Sequence, residues 1–219
     1  MNIIYQDKNL LVINKPAGIN SDKELMMELI KELPELIKAG EYPRHGLIHR
    51  LDKDTSGILL IAKNNKSLSF FQKQFKERKV DKKYIALVQG TIPKKSGEIK
   101  TLINREGIKQ KTFPLLGPQR VGSRIAETSW KIIKEYKEYT FVEATPKTGR
   151  KHQIRVHFAH LGFPIAGDKL YSFKNKKKPK GLQRQFLHAN QLKIRLLDGK
   201  EKIFRSDLPE ELKQIIKIL

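Results

Sequence analysis

The sequence predicts an α+β fold with a mixed or antiparallel sheet. Strand-like segments dominate the middle of the chain, and helical segments interrupt them irregularly instead of alternating in a βαβ rhythm. No glycine-rich phosphate loop of either common pattern is present. The 219 residues are 38% hydrophobic and include ten Phe, six Tyr and one Trp, which suits one domain spanning the chain with its own core.

The elements follow from local patterns. Ile3 to Tyr5, a turn at Asp7-Lys8-Asn9, and Leu10 to Ile13 read as a hairpin. Lys15-Pro16-Ala17-Gly18 ends it with turn chemistry. Ser21 and Glu24 have the spacing of a capping box for a helix that begins near Asp22 and breaks at Pro34, and Gly40 closes this region. Ile58 to Ala62 is short and wholly apolar, as suits a strand buried on both faces. Residues 66 to 78 carry Leu68, Phe71 and Phe75 on one helical stripe. Tyr84 to Val88 forms a strand stopped by Gly90, and Trp130, Ile132, Tyr139, Phe141 and Val142 mark a second hairpin turning near Lys137-Glu138. Arg150 to Leu161 reads as a helix with Ile154, Phe158 and Leu161 on one face, Gly162 as its cap and Pro164 beyond. A last helix follows Asp207, with Pro209 near its first turn and Leu212, Ile215, Ile216 and Leu219 repeating.

Charge points to the partner. Lys and Arg total 45 against 23 Asp and Glu, a formal net of +22, and so large an excess calls for a polyanion, nucleic acid first. An anionic membrane is second, but no basic amphipathic helix stands out as an anchor. Lys174 to Lys180, KNKKKPK, reads as a flexible basic loop suited to phosphates. The absence of Cys excludes disulfides and thiolate metal sites. The N-terminus lacks the features of a signal peptide, and no apolar run approaches membrane-spanning length, so a cytoplasmic protein is expected; with no large extra apolar stripe, a monomer is expected.

Chemistry concentrates in two stretches. HRLDKDTSG, residues 49 to 57, brings charge to the mouth of the apolar strand. Asp54, followed by Thr55 and Ser56, suits a turn cap. Asp52, beside Arg50 and Lys53, is expected to be ionised, either in a turn-holding ion pair or as a nucleophile or base. TGRKHQIRVHFAHLGFPIAGD, residues 148 to 168, places Arg155 at the edge of an apolar helix face, where it could pair with a carboxylate in a cleft. His152, His157 and His160 fit no familiar metal signature, and no metal is expected.

These stretches resemble a known family. HRLDKDTSGILLIAK (49–63) resembles the signature of the RluA family of pseudouridine synthases, and IIYQDKNLLVINKPAGI (3–19), KKYIALVQG (82–90), TGRKHQIRVHFAHLGFPIAGDKLY (148–171) and QFLHANQL (185–192) resemble its other motifs, in order. The resemblance implies a mixed, mostly antiparallel sheet flanked by helices and loops. It implies isomerisation of uridine to pseudouridine in RNA with no cofactor. Asp52 would be the catalytic residue, either nucleophile at C1′ or base for the 2′ proton. Tyr84 would stack on the flipped uracil, with a candidate part in removing the C5 proton. Arg155 would pair with the catalytic carboxylate, and Arg50 would serve base flipping. Expected RNA contacts are Arg50, Lys53, Thr55, Arg150, His152, Lys174, Lys176, Lys177 and Lys178. The first motif begins at residue 3, so the family's optional S4-type RNA-binding domain is not expected. Short members act on large-subunit ribosomal RNA or on transfer RNA, and the former is the expected target. Two other readings stand beside this one: a non-catalytic RNA-binding protein, and a metal-dependent nuclease using Asp52, Asp54, Asp168 and histidines.

Overall fold

The computed structural model describes residues 1–116, 121–173 and 178–219. In chain order its elements are β1 (Asn2–Gln6), β2 (Leu10–Lys15), α1 (Lys23–Glu32), a 3-10 turn (Pro34–Lys38), β3 (Ser56–Ala62), α2 (Asn65–Lys76), β4 (Asp81–Gln89), β5 (Ser96–Glu106), β6 (Lys109–Phe113), β7 (Arg124–Glu135), β8 (Tyr139–Pro146), α3 (Gln153–His160), β9 (Leu187–Arg195), β10 (Glu201–Arg205) and α4 (Glu210–Lys217). This is the α+β class. The chain forms two compact units, Met1–Asp81 with Ala189–Asp207, and Lys82–His188 with Leu208–Leu219.

In the first unit the strand order is β1-β2-β3-β9-β10. Asp7 makes the first turn, its Oδ1 accepting from the amides of Asn9 and Leu10 at 2.7 Å each. Leu10 to Ile13 and Ile58 to Ala62 are fully buried, because these central strands are covered on both faces. Helix α2, capped by Asn64 on the Ser67 amide at 2.9 Å, sends Phe71 into the cluster around Leu10, Val12, Ile58, Leu60 and Phe204. The end strands of this sheet come together over that cluster: the Tyr5 and Phe204 rings lie 5.4 Å apart, with the Lys202 ammonium 3.6 Å above Tyr5. Helix α1 stops before Pro34, whose ring keeps Leu33 out of the helical region, at φ −134° and ψ 75°. The capping box does not form. Glu24 does accept from the Asn20 amide at 2.9 Å, but the Ser21 hydroxyl is taken by Leu51 instead of the helix N-terminus.

In the second unit the order is β4-β8-β7-β5-β6, and each neighbouring pair is antiparallel. Helix α3 covers one face through Ile154 and Phe158, against Ala86, Val88, Trp130, Val142 and Ala144. Helix α4 lays Leu212 and Ile215 against Ile85, Leu87, Tyr139 and Phe186. The β5–β6 hairpin has no counterpart in the sequence reading, since charged residues fill its exposed positions and mask its alternation. Helix α3 begins three residues later than its apolar periodicity suggests. The Gln153 side-chain oxygen accepts from the Thr148 hydroxyl at 2.6 Å and the Arg150 amide at 3.0 Å, holding residues 148–152 as a loop. Lys174, Lys176 and Lys177 lie outside the described residues; Lys178 is exposed.

Gly57, which closes HRLDKDTSG, has φ 118°, and a Cβ there would stand 2.3 Å from the Ala189 carbonyl oxygen. Gly57→Ala is expected to cost about 3 kcal/mol or more through clash and backbone strain, read as a lowered urea midpoint.

Candidate active site

Asp52 sits at the head of a tight turn whose backbone is held on both sides. The Thr55 amide donates to the Asp52 carbonyl at 3.0 Å and closes the turn. On one side, the Ser21 hydroxyl donates to the Leu51 carbonyl at 2.9 Å and accepts from the Leu51 amide at 3.1 Å. On the other, the Lys53 carbonyl accepts from the Gly18 amide at 2.9 Å and from Lys15 Nζ at 3.1 Å. Lys15 is fully buried, and its ammonium also donates to the carbonyls of Pro16 at 2.7 Å and Ile19 at 2.9 Å. A buried cation is tolerated only when its donors find acceptors, and three carbonyls meet that need here. The turn chemistry of Lys15 to Gly18 thus continues into the support of Asp52, a link that sequence spacing does not show.

The neighbours of Asp52 divide by role. The His49 ring stacks on Phe75 at 4.7 Å, and its Nε2 accepts from the Leu60 amide at 3.2 Å, so it anchors the segment to β3 and α2. Arg50 is half exposed and donates to Asp22 at 2.7 Å. Lys53 is exposed. Thr55 is buried, at 2% exposure, so its side chain is not placed to meet an RNA backbone as the sequence suggested.

Tyr84, Arg150, His152 and Arg155 lie in the second unit. Tyr84 stands on β4 opposite Ala144 and packs partly buried against the core beneath α3. Arg155 is buried, and its Nε and Nη2 donate to the two Asp168 oxygens at 2.6 and 2.9 Å. Asp168 also accepts from the amides of Leu170 at 2.8 Å and Tyr171 at 3.1 Å, and the Tyr171 ring lies 5.2 Å from the guanidinium. Asp168 is therefore consumed in fixing Arg155, which removes it from the nuclease reading. Arg150 Nε donates to the Ile125 carbonyl at 3.0 Å.

Each of the three histidines is engaged by a hydroxyl. His152, at the left-handed φ of 56°, shares a hydrogen bond with the Tyr171 hydroxyl at 2.9 Å, and that hydroxyl accepts from the Gln110 amide at 2.7 Å. His157 is fully buried between Thr101 at 3.1 Å and Thr128 at 2.9 Å. His160 meets Thr112 at 2.8 Å. These contacts tie α3 to β5, β6 and β7. Burial, with His160 adding to it, pushes His157 down to about 4.

The basic excess is uneven. The second unit carries 26 Lys and Arg against nine Asp and Glu, the first 19 against 14.

The family model described as RNA pseudouridylate synthase matches residues 9–160, a span that contains Asp52, Tyr84 and Arg155. The chain is 36% identical to the ribosomal large subunit pseudouridine synthase D of Borreliella burgdorferi, over 95% of this chain and 65% of that protein. It is 41% identical to the ribosomal large subunit pseudouridine synthase C of Buchnera aphidicola, over 87% of this chain and 62% of that protein. It thus spans a little under two thirds of these relatives. Among solved structures it is similar to the human RNA pseudouridylate synthase domain containing 4, with a TM-score of 0.83, 27% identity, and 99% of this chain and 92% of that one covered. The chain belongs to the RNA pseudouridylate synthase family.

Two outcomes follow from these contacts. Lys15→Met removes three charge-assisted hydrogen bonds but also the burial of an ammonium, so a net loss of about 2 kcal/mol is expected. For a chain of this size that lowers the melting temperature by about 4–8 °C, read by circular dichroism. His157 must stay neutral in the fold while the unfolded chain protonates it below about pH 6.5. Stability should therefore fall as pH drops from about 6.5 to 4, by up to about 3 kcal/mol, and level off below. A His157→Gln variant should show a flatter profile in urea melts across that range.

Proposed function

We propose that this protein converts uridine to pseudouridine in RNA, with large-subunit ribosomal RNA as the substrate. The observation that carries the reading is the family match through residues 9–160 with Asp52 set on its rigidly held turn. The reaction is an isomerisation. The N1–C1′ glycosidic bond breaks, the uracil turns, and C5 joins C1′. The C5 proton is then lost and N1 gains one, so no atom enters or leaves. Asp52 acts either as nucleophile at C1′ or as the base that takes the 2′ proton. Arg155, held by Asp168, is the catalytic cation of this proposal, since a nearby cation favours the ionised form of a carboxylate. Extracting the target base from its stack costs a few kcal/mol. Tyr84 recovers about 1–3 kcal/mol of that by stacking, and Arg50 fills the vacated place. The reaction needs no cofactor.

The ribosomal target rests on the two bacterial relatives, which are named for the large subunit. A cytoplasmic location goes with that target as part of the proposal. Among the described residues no helix is long and apolar enough to cross a membrane. The net charge of +22 supplies sequence-independent attraction to RNA, and the protein acts as a monomer.

Asp52→Asn is expected to abolish pseudouridine formation while the circular dichroism spectrum and melting temperature stay close to wild type. Retained activity would sink the assignment. Carbodiimide mapping with primer extension on RNA from cells with and without the gene names the substrate. Lost stops in the large ribosomal RNA are expected. Lost stops confined to transfer RNA would move the target there, and a protein that binds RNA with no site lost would favour the binding-only reading.

A further inference from the structure

Lys82 is the second residue of β4, two before Tyr84, so the two side chains leave the extended strand on the same face. Lys82 is partly buried, yet its ammonium makes only one hydrogen bond among the described residues, a long one of 3.4 Å to the Thr148 carbonyl. It forms no ion pair among them. This sets it apart from Lys83 next in sequence, which pairs with Glu143 at 3.1 Å, and from Lys147, which pairs with Glu98 and Glu127. A withdrawn ammonium with unused donors and no counter-ion is costly unless something anionic arrives.

The neighbourhood favours such an arrival. Thr148 to His152 form a loop, held open by Gln153, in which Lys151 is exposed. At Gly149 a Cβ would meet only Lys82 Nζ, at 3.9 Å, so the bare glycine backbone leaves the approach to the ammonium clear. The Glu127 carboxylate on β7 is already occupied by Lys147 and Lys100, so it does not compete.

We propose that Lys82, with the Thr148–His152 loop beside it, binds one phosphodiester group of the RNA strand. The proposal rests on the RNA-modifying function above. It gives that function a fixed phosphate contact two residues from the stacking Tyr84.

The charge state adds a signature. Burial alone pushes Lys82 down to about 8. The titratable and charged residues on the segments that meet it are Tyr84 on its own strand, Lys147, Arg150, Lys151 and His152 flanking Thr148 and Gly149, and Glu127, whose amide bonds the Thr148 hydroxyl. A bound phosphate holds the ammonium charged, so binding takes up a proton once the free lysine has lost its own. Affinity should therefore fall about tenfold as pH rises from 7 to 9.

The test uses the full chain and a fluorescein-labelled transcript of large-subunit ribosomal RNA, with Kd measured by anisotropy across salt and pH, and kcat for pseudouridine formation measured alongside. Lys82→Met is expected to weaken binding about tenfold at pH 7, lower the slope of log Kd against log salt by about one, and leave kcat at saturating RNA unchanged. Lys82→Arg keeps a charge that does not titrate, and is expected to bind like wild type at pH 7 and to stay flat to pH 9. Unchanged binding by Lys82→Met overturns the proposal, as does a fall in kcat at unchanged Kd, which would place Lys82 at the base. If Lys82→Met melts early, the Lys82→Arg profile decides, and a wild-type pH dependence there overturns the proposal. A wild-type protein that forms no pseudouridine would defeat the functional reading instead, and the binding measurements would still judge Lys82.

Discussion

The buried ammonium of Lys15 ties three stretches of chain to one point. Its carbonyl partners are Pro16 and Ile19 in the loop after β2, and Lys53 in the turn that carries Asp52. The contact joins residues 38 apart in sequence, and the Ser21–Leu51 pair, 30 apart, completes the clamp from the other side. The carboxylate proposed to react must be held within a fraction of an ångström of its productive place. A turn on its own does not provide that. Here the backbone on either side of Asp52 is fixed by groups that are themselves buried, and the strand that follows, Ser56–Ala62, lies wholly in the core.

Helix α3 shows the same economy with different chemistry. Its short span holds Arg155, which Asp168 grips with both oxygens. Its histidines meet hydroxyls from Thr101, Thr128 and Thr112, while His152 just before it meets Tyr171. A helix of eight residues gains little stability from its own hydrogen bonds, so side-chain ties to the sheet decide where it sits. A neutral histidine donates from one ring nitrogen and accepts at the other, which lets His157 bridge two threonines inside the core.

The charge pattern divides the labour. Most of the cationic excess lies in the second unit, while the first supplies the clamped turn. Many surface cations of the second unit are locally neutralised, as where Glu143 takes both Lys83 and Lys131. Formal charge therefore overstates the number of phosphates the surface can engage, and a lysine such as Lys82, without an ion pair among the described residues, carries more information than the total.

The sequence by itself determined the first hairpin, the buried strand at 58–62, helix α2, the hairpin through Trp130 and Phe141, and the motif order that marks Asp52, Tyr84 and Arg155. The elements rest on periodicity and turn residues within a few positions, and the marking of the three residues rests on the resemblance of five motifs, in order, to a known family. Tertiary structure alone decided that Ser21 holds Leu51 instead of capping a helix, that Lys15 is an internal strut, that Asp168 belongs to Arg155, that the histidines bond to hydroxyls, and that charged β5 and β6 pair as a hairpin. In each case the deciding partner is a backbone or hydroxyl group brought from a distant part of the chain. A buried polar side chain must satisfy its hydrogen bonds with whatever the fold delivers to it, and local sequence carries no record of that delivery.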